Sequence, residues 1–171
     1  MSKWFQRLQE QSLNIFASLG LVWLWVSLVL SILGRLDLSS LEVESAPVFS
    51  VTFSYLCSMP VVGGIILASP AAMFFSAVVL APILEEAAFR LLPLEIGAAL
   101  GPRVLVAVQF AICGLLFGMV HGHWYNVLIQ GFLGYVASVL YLRNGTVSVR
   151  AGYLSCVALH AAYNFIVLVN S

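Results

Sequence analysis

Residues 47–84 carry no charged side chain, and this run constrains the chain more than any other feature of its sequence. A second uncharged run covers residues 13–34, which is long enough for a helix to cross the hydrocarbon core of a bilayer. Of all residues, 62% are hydrophobic and 8% are charged; soluble domains have roughly 45–50% and 25%. Too little polar surface is left to face water, so the sequence predicts an integral membrane protein.

The charge balance and the cysteines exclude other classes. Seven basic and seven acidic residues cancel, so the chain lacks the basic excess of nucleic-acid-binding proteins, and we expect no nucleic-acid partner. Cys57, Cys113 and Cys156 are isolated in apolar runs and form no C-x-x-C pair, so we interpret them as small core residues. We expect one multi-pass domain over residues 1–171, in contact with the lipid of the cell membrane.

The pattern predicts an all-α bundle of six or seven transmembrane helices with no strand of consequence. Residues 13–34 form a retained first helix, and the polar residues 35–46 form a loop. Residues 47–84 cross once or twice, because prolines and glycines interrupt them. The later helices are predicted to begin at Pro82 and then to cover residues 103–121, 124–142 and 151–169.

Polar residues inside the apolar runs are the candidate functional residues. A charge near the bilayer centre costs about 2.5–3.5 kcal/mol even on the lenient insertion scale, so each is a functional hypothesis by default. Six positions qualify: Glu85, Glu86, Arg90, His121, His160 and Asn164.

The spacing of these residues predicts which of them share a helix face. Glu86 and Arg90 are four residues apart and can neutralise each other, whereas Glu85 points about 100° away and stays free for chemistry. His160 and Asn164 are also four apart. In a helix beginning at Pro82, Glu85 lies about 22 Å from the far end, and His121 lies at similar depth on the returning helix. We therefore expect these groups to converge inside the bundle.

Three motifs in this region resemble those of the CPBP family of intramembrane endopeptidases, which includes CAAX prenyl proteases and bacteriocin-processing or immunity relatives. They are E-E-x-x-x-R at residues 85–90, F-x-x-x-H at 117–121 and H-x-x-x-N at 160–164, in the family's order. The resemblance covers residues 81–165, which we interpret as the catalytic core. Leu91 departs from the pattern, since many relatives have glycine there.

The resemblance implies a membrane-embedded endopeptidase that cleaves a membrane-associated protein or peptide. It also implies a role for each candidate residue: Glu85 activates the attacking water, His121 helps to hold that water, His160 and Asn164 stabilise the oxyanion, and Glu86 with Arg90 orients the others. The chain is short for the prenyl-protease branch, so the resemblance does not imply a prenylated substrate.

The resemblance leaves the cofactor open. Glu85, His121 and His160 could form a His₂Glu set that binds Zn²⁺ or another divalent metal with one open position. The sequence lacks H-E-x-x-H spacing, and a glutamate-activated water without a metal fits the same residues.

Two other functions and two orientations are alternatives. A transporter or proton relay would also bury Glu and His, but it predicts internal symmetry that the sequence lacks. A non-catalytic immunity or peptide-binding protein could retain the fold.

One crossing before Leu80 places the site on the cytoplasmic side, as in the prenyl-protease relatives, and the resemblance favours this orientation. Two crossings would instead place Arg103, Arg143 and Arg150 in cytoplasmic loops, where the positive-inside rule expects Lys and Arg.

Overall fold

A computed structural model describes residues 3–35, 69–122 and 124–169 of the chain. All regular elements of these residues are helices, which confirms the all-helical prediction for them. We number the helices α1 (Lys3–Arg35), α2 (Pro70–Leu100), α3 (Pro102–Met119), α4 (Asn126–Gly145) and α5 (Val149–Val169).

Four of the five helices, α1, α2, α3 and α5, are long and apolar enough to cross a membrane. The described residues thus contain four candidate spans, and the predicted number of six or seven is not reached among them. Residues 36–68, which include most of the predicted loop and the start of the predicted crossing at residue 47, lie outside the described residues. So do His123 and Cys57.

Helix α4, where residues 124–142 were predicted to be a span, is not among these four by length and composition. It lies at the centre of the bundle and packs against α1, α3 and α5. Two polar side chains of its buried face form hydrogen bonds with neighbouring helices. The Gln109 side chain donates to Ser138 Oγ at 3.3 Å, and the Asn144 side chain donates to Ser155 Oγ at 2.8 Å. Because protein surrounds α4, its polar residues cost less than they would in lipid.

Helix α2 begins earlier than predicted, at Pro70 rather than Pro82. Ser69 caps it by accepting a hydrogen bond from the Ala72 N–H at 3.2 Å, and Pro70 suits the first turn because it needs no donor partner. Pro82 therefore lies inside a continuous helix. The helix accommodates Pro82 and Pro93 by widening to π geometry just before each, at Ser76–Leu80 and Ala87–Leu91.

Side chains from other helices bond to backbone carbonyls of α2 near its two prolines. The Ala81 N–H bonds to the Ser76 carbonyl, so in the same register the Ala77 carbonyl would meet Pro82, which has no N–H. Asn164 of α5 donates to that carbonyl at 2.9 Å. Cys113 of α3 donates to the Phe89 carbonyl, in the widened turn before Pro93, at 3.0 Å. These two bonds tie α2 to its neighbours on either side of Glu85.

Glycines allow α3 and α4 to approach closely. A Cβ on Gly118 would lie 2.5 Å from the Cα of Val127. A Cβ on Gly134 of α4 would overlap the Cys113 carbonyl and lie 2.7 Å from Arg90 Nη2. Gly134 therefore leaves the space into which the arginine fits.

We expect Gly134→Ala to lower the free energy of unfolding by about 1–3 kcal/mol, because the added methyl group overpacks a rigid contact. Gly20→Ala is the matched control, since a Cβ at that helical position meets nothing within 4 Å. Detergent-titrated unfolding of both purified variants measures the difference. Equal stability of the two variants would contradict the close approach at Gly134.

Candidate active site

Helices α2 and α5 and the turn after α3 bring five of the six predicted site residues together. All five side chains are buried, with exposed fractions of 8% or less; they are Glu85, Glu86, Arg90, His121 and His160. The predicted convergence of the two carboxylates and the two imidazoles is therefore present in the structure.

Glu85 lies between the two histidine rings. Its Oε2 atom is 3.8 Å from His121 Nε2 and 3.8 Å from His160 Nε2. Both distances exceed the roughly 2.7–3.2 Å of a direct hydrogen bond, and Oε2 has no hydrogen-bond partner among the described residues. One water molecule placed between the three atoms could contact all of them.

The other nitrogen of each imidazole is held by a group that can only accept a hydrogen bond. His121 Nδ1 lies 2.6 Å from the Phe117 carbonyl, and His160 Nδ1 lies 2.7 Å from Glu86 Oε1. Both Nδ1 atoms therefore carry a proton, and in a neutral ring Nε2 is the free acceptor directed at Glu85. His121 lies just beyond the end of α3, and burial lowers the pKa of its imidazole, which favours the neutral ring.

Glu86 and Arg90 form the ion pair that their spacing predicts. Arg90 Nε lies 3.2 Å from Glu86 Oε2, and both side chains are fully buried. The pair is not aligned for a hydrogen bond, and the guanidinium nitrogens have no other hydrogen-bond partner within the described part of the chain. The guanidinium instead lies over the Phe117 ring, with Arg90 Cζ 3.8 Å from the ring centroid, where a cation–π contact stabilises it.

Phe117 also supports both histidines. Its ring meets the edge of His121 at a centroid distance of 4.6 Å and that of His160 at 5.8 Å. The additional contact with Arg90 could have been anticipated from the F-x-x-x-H motif, which places a fully buried aromatic ring one turn before the histidine.

Asn164, the sixth predicted site residue, lies one helical turn after His160 and is half-buried. Its amide nitrogen is engaged by the Ala77 carbonyl, as described above, and this bond sets the position of α5 against α2. Asn126, at the start of α4, supports the site directly. Its side chain donates to the His121 carbonyl at 2.7 Å and so fixes the turn that carries the ring.

We expect Asn164→Ala to lower the free energy of unfolding by about 1–3 kcal/mol, because the Ala77 carbonyl loses its donor. If Asn164 acts through helix position, the activity of the folded variant should fall far less than that of a Glu85 variant. Unfolding titrations and cleavage assays on the same preparation separate the two effects. Complete loss of cleavage with unchanged stability would instead indicate direct contact between Asn164 and the substrate.

The side chains of Glu85, His121 and His160 are not arranged to bind a metal ion in this structure. Among the described residues, no group of three or more His, Cys, Asp or Glu side chains is arranged to hold a metal ion. Glu95 lies away from the site and accepts a hydrogen bond from the Tyr141 hydroxyl at 2.7 Å.

Comparison with known families decides what this buried cluster belongs to. Residues 67–166 match the model of a family described as type II CAAX prenyl endopeptidase Rce1-like. The chain belongs to this Rce1-like family. The matched region contains all six predicted site residues and covers α2 to most of α5. No curated protein and no solved structure matches the chain. Rce1-like membership and the four apolar helices support a membrane protein with protease activity.

Proposed function

We propose that the protein is an intramembrane endopeptidase that hydrolyses a peptide bond of a membrane-associated protein, using a water molecule activated by Glu85. One observation carries the proposal. The buried Glu85 Oε2 atom has no hydrogen-bond partner among the described residues, and two imidazole nitrogens face it at 3.8 Å. An unpaired buried carboxylate oxygen is costly unless a bound molecule satisfies it.

A water molecule fits this arrangement because it can donate two hydrogen bonds. One would go to Glu85 Oε2 and the other to Nε2 of a neutral histidine. We assign the neutral ring to His121, because its Nδ1–H is paired with an uncharged backbone carbonyl. The water oxygen is then free to attack, and the carboxylate is in place to accept its proton.

The charges of the cluster favour a proton on His160. Glu85, Glu86 and Arg90 together carry one net negative charge, so one further proton makes the buried cluster neutral. His160 suits this proton because Glu86, a carboxylate, holds its Nδ1–H at 2.7 Å. The protonated ring would direct its Nε2–H toward the substrate carbonyl oxygen and stabilise the oxyanion that forms there.

The proposed reaction has two stages. In the first, the water oxygen bonds to the carbonyl carbon, Glu85 accepts the released proton, and the carbonyl oxygen becomes an oxyanion facing His160. In the second, the carbon–nitrogen bond breaks, the amine leaves with the proton from Glu85, and a carboxylic acid remains. Glu86, Arg90 and Phe117 are positioning residues in this proposal, since they touch the histidines and each other rather than the reacting atoms.

Comparing the termini of membrane proteins in cells with and without the protein tests the proposal. We expect new amino termini in or next to membrane segments of other proteins, in molar excess over the protein itself, because each enzyme molecule turns over many times. Identical terminal peptides in both cell populations would contradict a protease function.

A further inference from the structure

The direction of α1 is fixed by hydrogen bonds to α4. Asn14, in the first half of α1, donates to Asn144 at the end of α4 at 2.9 Å. Trp25, in the second half, donates to the Leu128 carbonyl at the start of α4 at 2.7 Å. The two helices are therefore antiparallel, and the start of α1 lies beside the end of α4 and the start of α5.

Contacts of α2 with α4 and α5 show which of the remaining helix ends lie on the same side of the bundle. Near its start, Phe74 packs against Phe165 near the end of α5, with ring centroids 6.1 Å apart. Near its end, Glu95 bonds to Tyr141 in the last turns of α4. We call one face of the bundle the basic end (residues 3–14, 95–103 and 141–150) and the other the histidine end (residues 35, 69–77, 119–128 and 164–169).

The basic side chains divide unequally between the two ends. The basic end contains five of the seven Lys and Arg residues of the chain: Lys3, Arg7, Arg103, Arg143 and Arg150. The histidine end contains Arg35, and the last of the seven is the buried Arg90. Residues 36–68, which join α1 to α2, contain no Lys or Arg. The number of Lys and Arg residues at each end is therefore the same whatever path residues 36–68 take.

The site lies toward the histidine end. His121 is in the turn that follows α3 at this end, and Asn126 at the start of α4 holds it. On the side toward the basic end, the site is closed by side chains with no exposed surface: Arg90, Leu94, Cys113 and Phe117. A substrate that reaches Glu85 would thus approach from the histidine end.

Short loops rich in Lys and Arg stay in the cytoplasm, and acidic residues contribute little to this rule. We infer that the basic end is cytoplasmic and that the site receives its substrate from the opposite, non-cytoplasmic side of the membrane. The inference rests on the proposed function for its reference to substrate. The substrate class is then a membrane-anchored segment of an exported protein, and the cytoplasmic orientation favoured by the sequence resemblance is replaced.

Cysteine labelling of the full chain in intact cells tests this orientation. The background variant is Cys57→Ser, in which the remaining Cys113 and Cys156 are buried. Trp124→Cys reports the histidine end and Thr146→Cys the basic end, because both positions are exposed. We expect a membrane-impermeant maleimide to label Trp124→Cys in intact cells and Thr146→Cys only after permeabilisation. The reverse pattern, or equal labelling of both positions, would overturn the inference.

A second measurement avoids substitutions altogether. Alkaline phosphatase fused after Ser171 of the unmodified chain should be active, since α5 ends at the histidine end, and a cytoplasmic fluorescent reporter fused there should stay dark. Failures of the two proposals are distinguishable. The expected labelling without any cleavage would overturn the protease function alone. Reversed labelling with cleavage would overturn the orientation alone.

Discussion

Replacing Glu85 with glutamine is expected to reduce cleavage by about 10²–10⁴-fold, the usual contribution of a general base. The amide has the shape of the carboxylate but cannot accept the proton of the attacking water. Because Glu85 Oε2 has no hydrogen-bond partner among the described residues, removing its charge should leave the free energy of unfolding unchanged or higher. Quantifying cleaved and intact substrate at matched expression, together with unfolding titrations, measures both effects.

Glu95→Gln is the matched control for this experiment. Glu95 is also a carboxylate on α2, but it lies at the basic end and accepts a hydrogen bond from Tyr141, which an amide oxygen can still accept. We expect the Glu95→Gln variant to cleave substrate as well as the unmodified protein does. If Glu85→Gln cleaved as well as Glu95→Gln, Glu85 would not be the base. A cellular effect that persisted in Glu85→Gln without cleavage would favour the non-catalytic, peptide-binding alternative.

Replacing Arg90 with methionine is expected to lower the free energy of unfolding by about 3–5 kcal/mol, because the buried Glu86 carboxylate loses its arginine and keeps only the hydrogen bond to His160. Both side chains have no exposed surface, so solvent cannot compensate for the loss. Detergent-titrated unfolding of the purified variant measures the change. A cost below about 1 kcal/mol, which is typical of exposed pairs, would show that the ion pair is not important for stability.

The double variant Glu86→Gln with Arg90→Met separates charge from packing. Replacing both members of a buried pair with neutral groups of similar volume is often neutral for stability, so most of the loss should be recovered. Additive losses from the two single variants would mean that the arginine acts mainly by filling space beside Gly134 and Phe117.

Spacing along helices made much of the site predictable. The four-residue interval between Glu86 and Arg90 defines their shared face, and the rotation of Glu85 away from them directs it to the histidines. The similar depth of Glu85 and His121 follows from two antiparallel helices joined at Gly101 and Pro102. Local geometry of this kind depends only on the helical rise and turn, which the sequence specifies.

What the sequence could not predict depends on contacts between distant segments. Pro82 suits a first turn, and its place inside α2 becomes tolerable only because Asn164 serves the carbonyl that it leaves. The polar residues of α4 are acceptable only because other helices surround it. The role of Asn164 was predicted from a motif, whereas the bond that occupies its amide depends on how α5 lies against α2. None of these is visible in a single helix.

The site draws Glu85 from α2, His121 from the turn after α3 and His160 from α5, and this division has a consequence for biosynthesis. While the ribosome is still producing α5, Glu85 and His121 have already been synthesised, but the site is incomplete until His160 follows. The proposed enzyme would thus be inert until α5 inserts. A nascent chain could not digest its neighbours in the translocation channel.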